Sequence, residues 1–281
     1  MKNFHILFTE TTLAMIEIKN YDFSIEQIAN SGQCFRINKL KSKNIWQVVA
    51  LGKILNIRPM SKNTHLFFCS SEEYQNVWKD YFDFKRDYGE IKKFILKVSD
   101  PYLNDAVKHG FGLRILRQDP WEVTVSFIIS QRNNILRIRN TIEKLCTPHG
   151  KVFPAPQILA KYTEEDFRAI GLGYRAKYLL NIAKAVDSGE FDVKYLRTLS
   201  YADAIKYLKR FNGIGDKVAN CIALYGLHKL EAFPMDVWMR RIIGEQYGGN
   251  FDIKRFPGYA GIVQQYMFFY ERSIKKMRLQ T

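Results

Sequence analysis

Lys217 and Asp236 are the two side chains best suited to chemistry in this chain. Lys217 follows the turn Asn212-Gly213-Ile214-Gly215 and the acidic Asp216. Two glycines in four residues let backbone N–H groups converge on an anion with no Cβ in the way. A helix opening at Asp216-Lys217 adds its own free N–H groups and the positive end of its dipole. A DNA phosphate suits that combination. Lys217 stands in the first turn, where the dipole disfavours its charge. Partial burial acts the same way, towards a neutral and nucleophilic amine, while a nearby carboxylate acts oppositely. Asp236 lies nineteen residues on, in Pro234-Met235-Asp236, where an N-cap would precede a third helix. A glycine turn with a lysine, taken alone, equally fits a helical hairpin whose lysine is only solvated.

The elements that must hold these residues are legible by period. A helix-like run ends at Phe211, and Val218, Cys221, Ile222 and Tyr225 recur at helical spacing after the turn. Asp119-Pro120-Trp121 predicts a helix start, with Asp as N-cap and Pro at the first position. That helix is apolar at Val125, Ile128 and Ile129, runs to about Ser130, and is broken by Gln131-Arg132-Asn133-Asn134. Ile135, Ile138, Ile142 and Leu145 mark the next one. Gly171-Leu172-Gly173-Tyr174-Arg175 is a glycine-bounded turn presenting an aromatic beside an arginine, as a DNA-intercalating loop requires. A helix-start turn with a buried tyrosine is the alternative. Gln264 and Phe268, four apart, share a face of a last helix that begins near Pro257, and Phe268 alone reads as core. Ser273 to Arg278 reads as a solvated end.

Residues 1–98 read mostly as strands: Ile16-Glu17-Ile18, Asn44 to Val49, Leu51 to Ile57 and His65 to Cys69. The expected architecture is therefore α+β, an amino-terminal antiparallel-sheet domain over 1–98 followed by a helical domain over 99–281. The 281 residues are 47% hydrophobic, enough for sizeable cores, and the net charge of +15 favours a polyanionic partner. Cys34, Cys69, Cys146 and Cys221 form no CxxC pair, which disfavours a zinc site or disulfide framework and suits a reducing cytosol. MKNFHILFTE lacks the apolar core of a signal peptide, and no apolar run approaches a membrane span.

Four signatures carry a resemblance. Ser31-Gly32-Gln33-Cys34-Phe35-Arg36, the run from Gln118 to Cys146, Gly171 to Ala176, and the hairpin-to-Asp236 stretch follow one another in the order seen in 8-oxoguanine-DNA glycosylases. The chain resembles the lysine-bearing, bifunctional branch of the helix-hairpin-helix glycosylase superfamily over nearly its whole length. The resemblance implies a twisted amino-terminal sheet, a helical catalytic domain, and a duplex-DNA partner whose damaged nucleotide is extruded into a pocket. Lys217 then matches the nucleophile that attacks C1′ and forms a Schiff base, resolved by β-elimination into a strand break. Asp236 matches the aspartate that stabilises charge on the sugar and helps position or deprotonate Lys217.

For the base pocket, Gly32 matches the residue whose carbonyl accepts the N7 proton found on 8-oxoguanine and absent from guanine. Gln264 matches the reader of the pairing edge, and Cys221 and Phe268 the two faces of the base sandwich. On the DNA-facing side, Tyr174 matches the wedge, and Arg137 and Arg175 the readers of the orphaned cytosine. Arg132 replaces a gap-filling asparagine, which implies a relaxed, bacterial-type preference for the opposite base. Trp238 replaces a histidine that contacts a phosphate. Gly213 and Gly215, with Lys209 nearby, should hold another phosphate. No metal or redox cofactor is implied, beyond a structural cation that such hairpins often bind through backbone carbonyls. The expected state is a monomer in a prokaryotic cytoplasm, associated with the nucleoid, with no membrane attachment. Two other readings stand beside this one: a glycosylase of the same superfamily for alkylated purines, against which Lys217 argues, and a non-catalytic damage sensor, which would need neither Lys217 nor Asp236.

Overall fold

The structure, a computed structural model, describes residues 14–40 and 44–278. The amino-terminal MKNFHILFTE stretch lies outside the described residues. Five strands, β1 (Ile16–Lys19), β2 (Ile37–Lys39), β3 (Trp46–Ala50), β4 (Lys53–Pro59) and β5 (Thr64–Phe68), form one antiparallel sheet. Their order is β1-β5-β4-β3-β2. Period-two alternation sends Trp46, Val48 and Ala50 inward beside Leu55 and Ile57. Leu51 and Gly52 both take positive φ, +54° and +72°. They form the two-residue turn whose twist matches a tight hairpin, so β4 begins at Lys53 and not at Leu51.

Residues 1–98, read mostly as strands, hold helices as well. Helix α1 (Ile25–Asn30) buries Ile25, Ile28 and Ala29 against the sheet. Residues 71–81 are helical, opened by Ser70, whose hydroxyl accepts from Glu73 N at 3.1 Å. Helix α2 (Tyr88–Leu96) is capped by Asp87 on Glu90 N at 3.0 Å and buries Tyr88, Ile91 and Ile95 in the helical core, not the sheet's. Short polar residues followed three positions later by Glu are helix-start signals that outweigh the β-prone aromatics around them.

The remaining labelled helices are α3 (Pro101–His109), α4 (Pro120–Ile129), α5 (Ile135–Cys146), α6 (Arg175–Asp187), α7 (Tyr201–Leu208), α8 (Asp216–Tyr225), α9 (Val237–Tyr247) and α10 (Ala260–Arg278). Asp119 caps α4 through Glu122 N at 2.9 Å. Almost every side chain of α4 is buried, so it is the central helix against which α8 packs. Helix α7 stops at Leu208, and Phe211 is buried in the turn. The tail read as solvated is instead the last turns of α10. Ser273 is half-buried and its hydroxyl donates to Phe269 O at 2.8 Å. Among the described residues no helix is long and apolar enough to cross a membrane.

Two polar ties join the sheet to the helices. Gln33 donates to Arg114 O and accepts from Leu116 N, at 2.8 and 2.9 Å. Asp83, buried, accepts from Arg86 Nε at 2.9 Å and Arg117 Nε at 3.0 Å, with His228 Nε2 of the loop after α8 3.2 Å away.

Candidate active site

A cavity of about 370 Å³ opens between α4, α5, α8, α10 and the Ser31–Phe35 segment. Lys217, Asp236, Gly32, Cys221, Gln264, Phe268 and Trp238 all line it. Seven residues spread over more than two hundred positions are thus brought to one hollow.

Lys217 is half-buried in the first turn of α8, and its Nζ donates to Ser130 Oγ at 3.2 Å. The amine lies 5.1 Å from the centre of the Phe127 ring. Ser130 Oγ in turn donates to Phe127 O at 2.8 Å, so the hydroxyl's lone pairs face the amine. Ser130 is the functional neighbour missed in the sequence; its only signal was its place at the end of α4, just before the QRNN break. Asp236 caps α9, its Oδ1 accepting from Met239 N at 2.9 Å. One carboxylate oxygen holds the helix while the other is available to the cavity. Asp236 and Lys217 line the same cavity without an ion pair between them among the described residues, and the Lys217 amine is hydrogen-bonded to Ser130.

The base-sized part of the cavity is walled by Cys221 and Phe268. Burial pushes the Cys221 thiol up to about 11, with the Lys217 amine pulling the other way, so the sulfur is a neutral, soft wall. Gln264 is 3% exposed, and its Oε1 has no hydrogen-bond partner among the described residues. A buried amide acceptor without a partner costs free energy, and Gln264 lines the cavity, so its amide is a polar group that a ligand there would meet. Gly32 has φ +81°, and a Cβ there would come within 3.2 Å of both Phe268 and Arg272. Glycine is therefore required by conformation and by space.

The DNA-facing loops depart from the expectations. Tyr174 is 48% exposed, as a wedge must be. Arg137 and Arg132 are exposed, and Arg132 holds φ +45°, a conformation an asparagine adopts more readily. Arg175, expected to read the orphaned base, is buried. Its Nε donates to Gln131 O at 2.7 Å, its Nη1 to Leu172 O at 3.1 Å and its Nη2 to Arg132 O at 3.1 Å. Those donors hold the turn's backbone, so Arg175 here is a scaffold for Tyr174 and Arg132. Lys209 is also not free: its Nζ pairs with Asp216 Oδ1 at 2.6 Å.

The hairpin keeps its anion-binding shape. Gly213 has φ +92°, and a Cβ would sit 2.6 Å from the Tyr178 ring, whereas around Gly215, which precedes α8, there is open space. Gly213 O accepts from Gln131 Nε2 at 2.9 Å, which removes one carbonyl from those a cation would need. No group of three or more metal-ligating side chains occurs among the described residues. Trp238 is flanked by two cations, Lys275 Nζ at 5.0 Å and Arg241 at 5.5 Å from its ring.

Comparison with known proteins agrees with this geometry. Residues 15–124 match the 8-oxoguanine DNA glycosylase N-terminal domain, and residues 125–253 match the HhH-GPD superfamily of base excision DNA repair proteins. The solved structure of MBOgg1 in complex with a low-affinity DNA ligand is 35% identical and superposes with a TM-score of 0.87, covering 95% of this chain and 98% of that one. The chain belongs to the 8-oxoguanine DNA glycosylase family. Within that family, the Clostridium acetobutylicum 8-oxoguanine glycosylase/lyase, solved with duplex DNA containing cytosine opposite 8-oxoG, is 34% identical with a TM-score of 0.83, covering 90% of this chain and 93% of that one. The Saccharomyces cerevisiae N-glycosylase/DNA lyase is 37% identical over 158 residues, 48% of this chain; the chain spans 42% of that relative's length.

Proposed function

We propose that this protein is a base-excision glycosylase that removes 8-oxoguanine from duplex DNA and then cleaves the strand as a lyase. One observation carries the substrate reading. The Gln264 amide and Gly32, whose carbonyl accepts no hydrogen bond among the described residues, line a slot faced by Cys221 and Phe268. 8-Oxoguanine offers donors to both: its pairing-edge N–H groups to Gln264 and its N7–H to Gly32. Guanine has a lone pair at N7, which repels a carbonyl oxygen.

The chemistry follows from the placement of Lys217. Its amine, held by Ser130, adds to C1′ of the extruded nucleotide as the N-glycosidic bond breaks, and the base leaves with the bonding electrons. Loss of a proton from nitrogen and opening of the sugar ring give the Schiff base. Removal of a C2′ proton then expels the 3′ phosphate by β-elimination. The free carboxylate oxygen of Asp236 stabilises positive charge on the sugar as the base departs.

For the DNA, the Gly213–Gly215 turn and the start of α8 take one backbone phosphate. Arg241 and Lys275, gathered on Trp238, take over the phosphate contact that a histidine makes elsewhere in the family. Tyr174 occupies the gap in the stack, and Arg132 and Arg137 face the orphaned base. The four cysteines are free and buried, in keeping with a reducing compartment, and we place the protein on nucleoid DNA in a prokaryotic cytoplasm.

The test is excision from a duplex with a single 8-oxoguanine opposite cytosine, in borohydride, for wild type and Lys217→Gln. Wild type should form a covalent adduct. The variant should neither trap, release base nor cut, while still binding DNA. Loss of binding in the variant would make Lys217 a phosphate contact instead.

A further inference from the structure

The Gly32 carbonyl can discriminate a proton from a lone pair only if it is held still, and the neighbouring carbonyls show how this is done. Ala29 O accepts from Arg139 Nη2 of α5 at 2.7 Å. Asn30 O accepts from Arg272 Nη1 of α10 at 3.3 Å. Ser31 O accepts from Gln265 Nε2 of α10 at 2.9 Å, and Gln33 O from Gln118 Nε2 at 2.8 Å. Thus side chains from three parts of the helical domain take every carbonyl from 29 to 33 except that of Gly32. Among the described residues, Gly32 O alone in this run has no donor. The last carbonyls of a short helix would otherwise be unsatisfied or open to water. Gln265 is itself buried and oriented by Tyr225, whose hydroxyl donates to its Oε1 at 2.6 Å. Water could fill any one of these positions, but a water would not fix the segment's distance from α5 and α10.

We propose that Arg139, Gln265 and Arg272 are positioning residues for lesion recognition: they lock the end of α1 so that the Gly32 carbonyl is aimed at the extruded base. This rests on the 8-oxoguanine reading above. Arg139 and Gln265 do not line the cavity, so they act through the 29–33 backbone and touch neither the base nor Lys217. The step they serve is base recognition, which a pre-formed abasic site bypasses because it has no base to read.

Arg139→Met and Gln265→Leu, each in the full chain, test this on two duplexes, one with 8-oxoguanine opposite cytosine and one with an abasic site. Excision in single turnover should fall about 10-fold or more, because small misplacements of a recognition group cost orders of magnitude in rate. Selectivity for 8-oxoguanine over guanine should fall with it. Abasic-site cleavage should stay within about twofold, and Arg139→Lys, which keeps a donor, should recover most of the excision. Unchanged excision and selectivity in both variants would overturn the proposal. So would an equal loss of abasic-site cleavage, which would mean general damage to the site. Wild type that cleaves abasic sites but releases no 8-oxoguanine would refute the substrate reading itself, a result distinct from either.

Discussion

Replacing Gln264 by leucine should make the protein more stable and less able to excise. The amide is 3% exposed and its Oε1 has no partner, so the free protein carries a desolvated acceptor. Such a group costs about 1–3 kcal/mol. Leucine removes the acceptor at similar volume. A gain of about 1 kcal/mol corresponds to roughly 2–4 °C in melting temperature for a domain of about this size. The same change leaves the pairing-edge donors of the extruded base facing a methyl group. Losing those bonds should cost about 1–3 kcal/mol, roughly 5- to 150-fold in excision. The assay is a thermal melt without DNA beside single-turnover excision of 8-oxoguanine opposite cytosine. A variant that melts lower and excises normally would refute the reasoning, because Gln264 would then be an ordinary core residue with a partner of its own.

Phe268→Ala should slow excision by removing a stacking face worth roughly 1–3 kcal/mol, and an unchanged rate would return the ring to a packing role. Arg132 should relax the choice of opposite base, so that 8-oxoguanine opposite cytosine and opposite adenine are excised at comparable rates; a preference for cytosine of about a hundredfold contradicts this, given that a good bidentate contact is worth about 1–3 kcal/mol. Asp83 gives a pH signature. Burial alone would raise its carboxyl, but His228, Arg117 and Arg86 outweigh that and hold it at about 2. Because the folded value lies below the unfolded one, its contribution of about 2 kcal/mol is present above pH ~4 and is lost as pH falls towards 2. Asp83→Asn should therefore weaken the protein in urea at pH 6 and converge with wild type in acid; parallel curves across that range would count against the network.

What the sequence disclosed and what it hid divide along physical lines. Caps and turns are local, so Asp119, Asp236 and the Gly213–Gly215 turn were legible where they stand. The pairing of Gln264 with Phe268 was legible because one helical turn separates them. The tie between Lys217 and Ser130 spans 87 positions and has no local trace. The placement of Arg175 was hidden for a related reason. Its type and its neighbours suggested base recognition, but its Nε and Nη2 donors are held by carbonyls of a loop more than forty residues away. Lys209, expected near a phosphate at the hairpin, pairs with Asp216 across the turn, a contact that the helix-start pattern at Asp216 does not reveal. The helices between 71 and 96 were obscured by aromatics that suit strands equally well.

Gln131 has a consequence for how the protein meets DNA. Its side-chain amide grips the hairpin at Gly213, and its carbonyl is held by Arg175 beneath Tyr174. The hairpin and the Tyr174 turn are therefore joined through a single residue, like the two jaws of a caliper with a fixed gap. Under the binding mode proposed above, seating the hairpin on a phosphate would set the depth at which Tyr174 meets the neighbouring step.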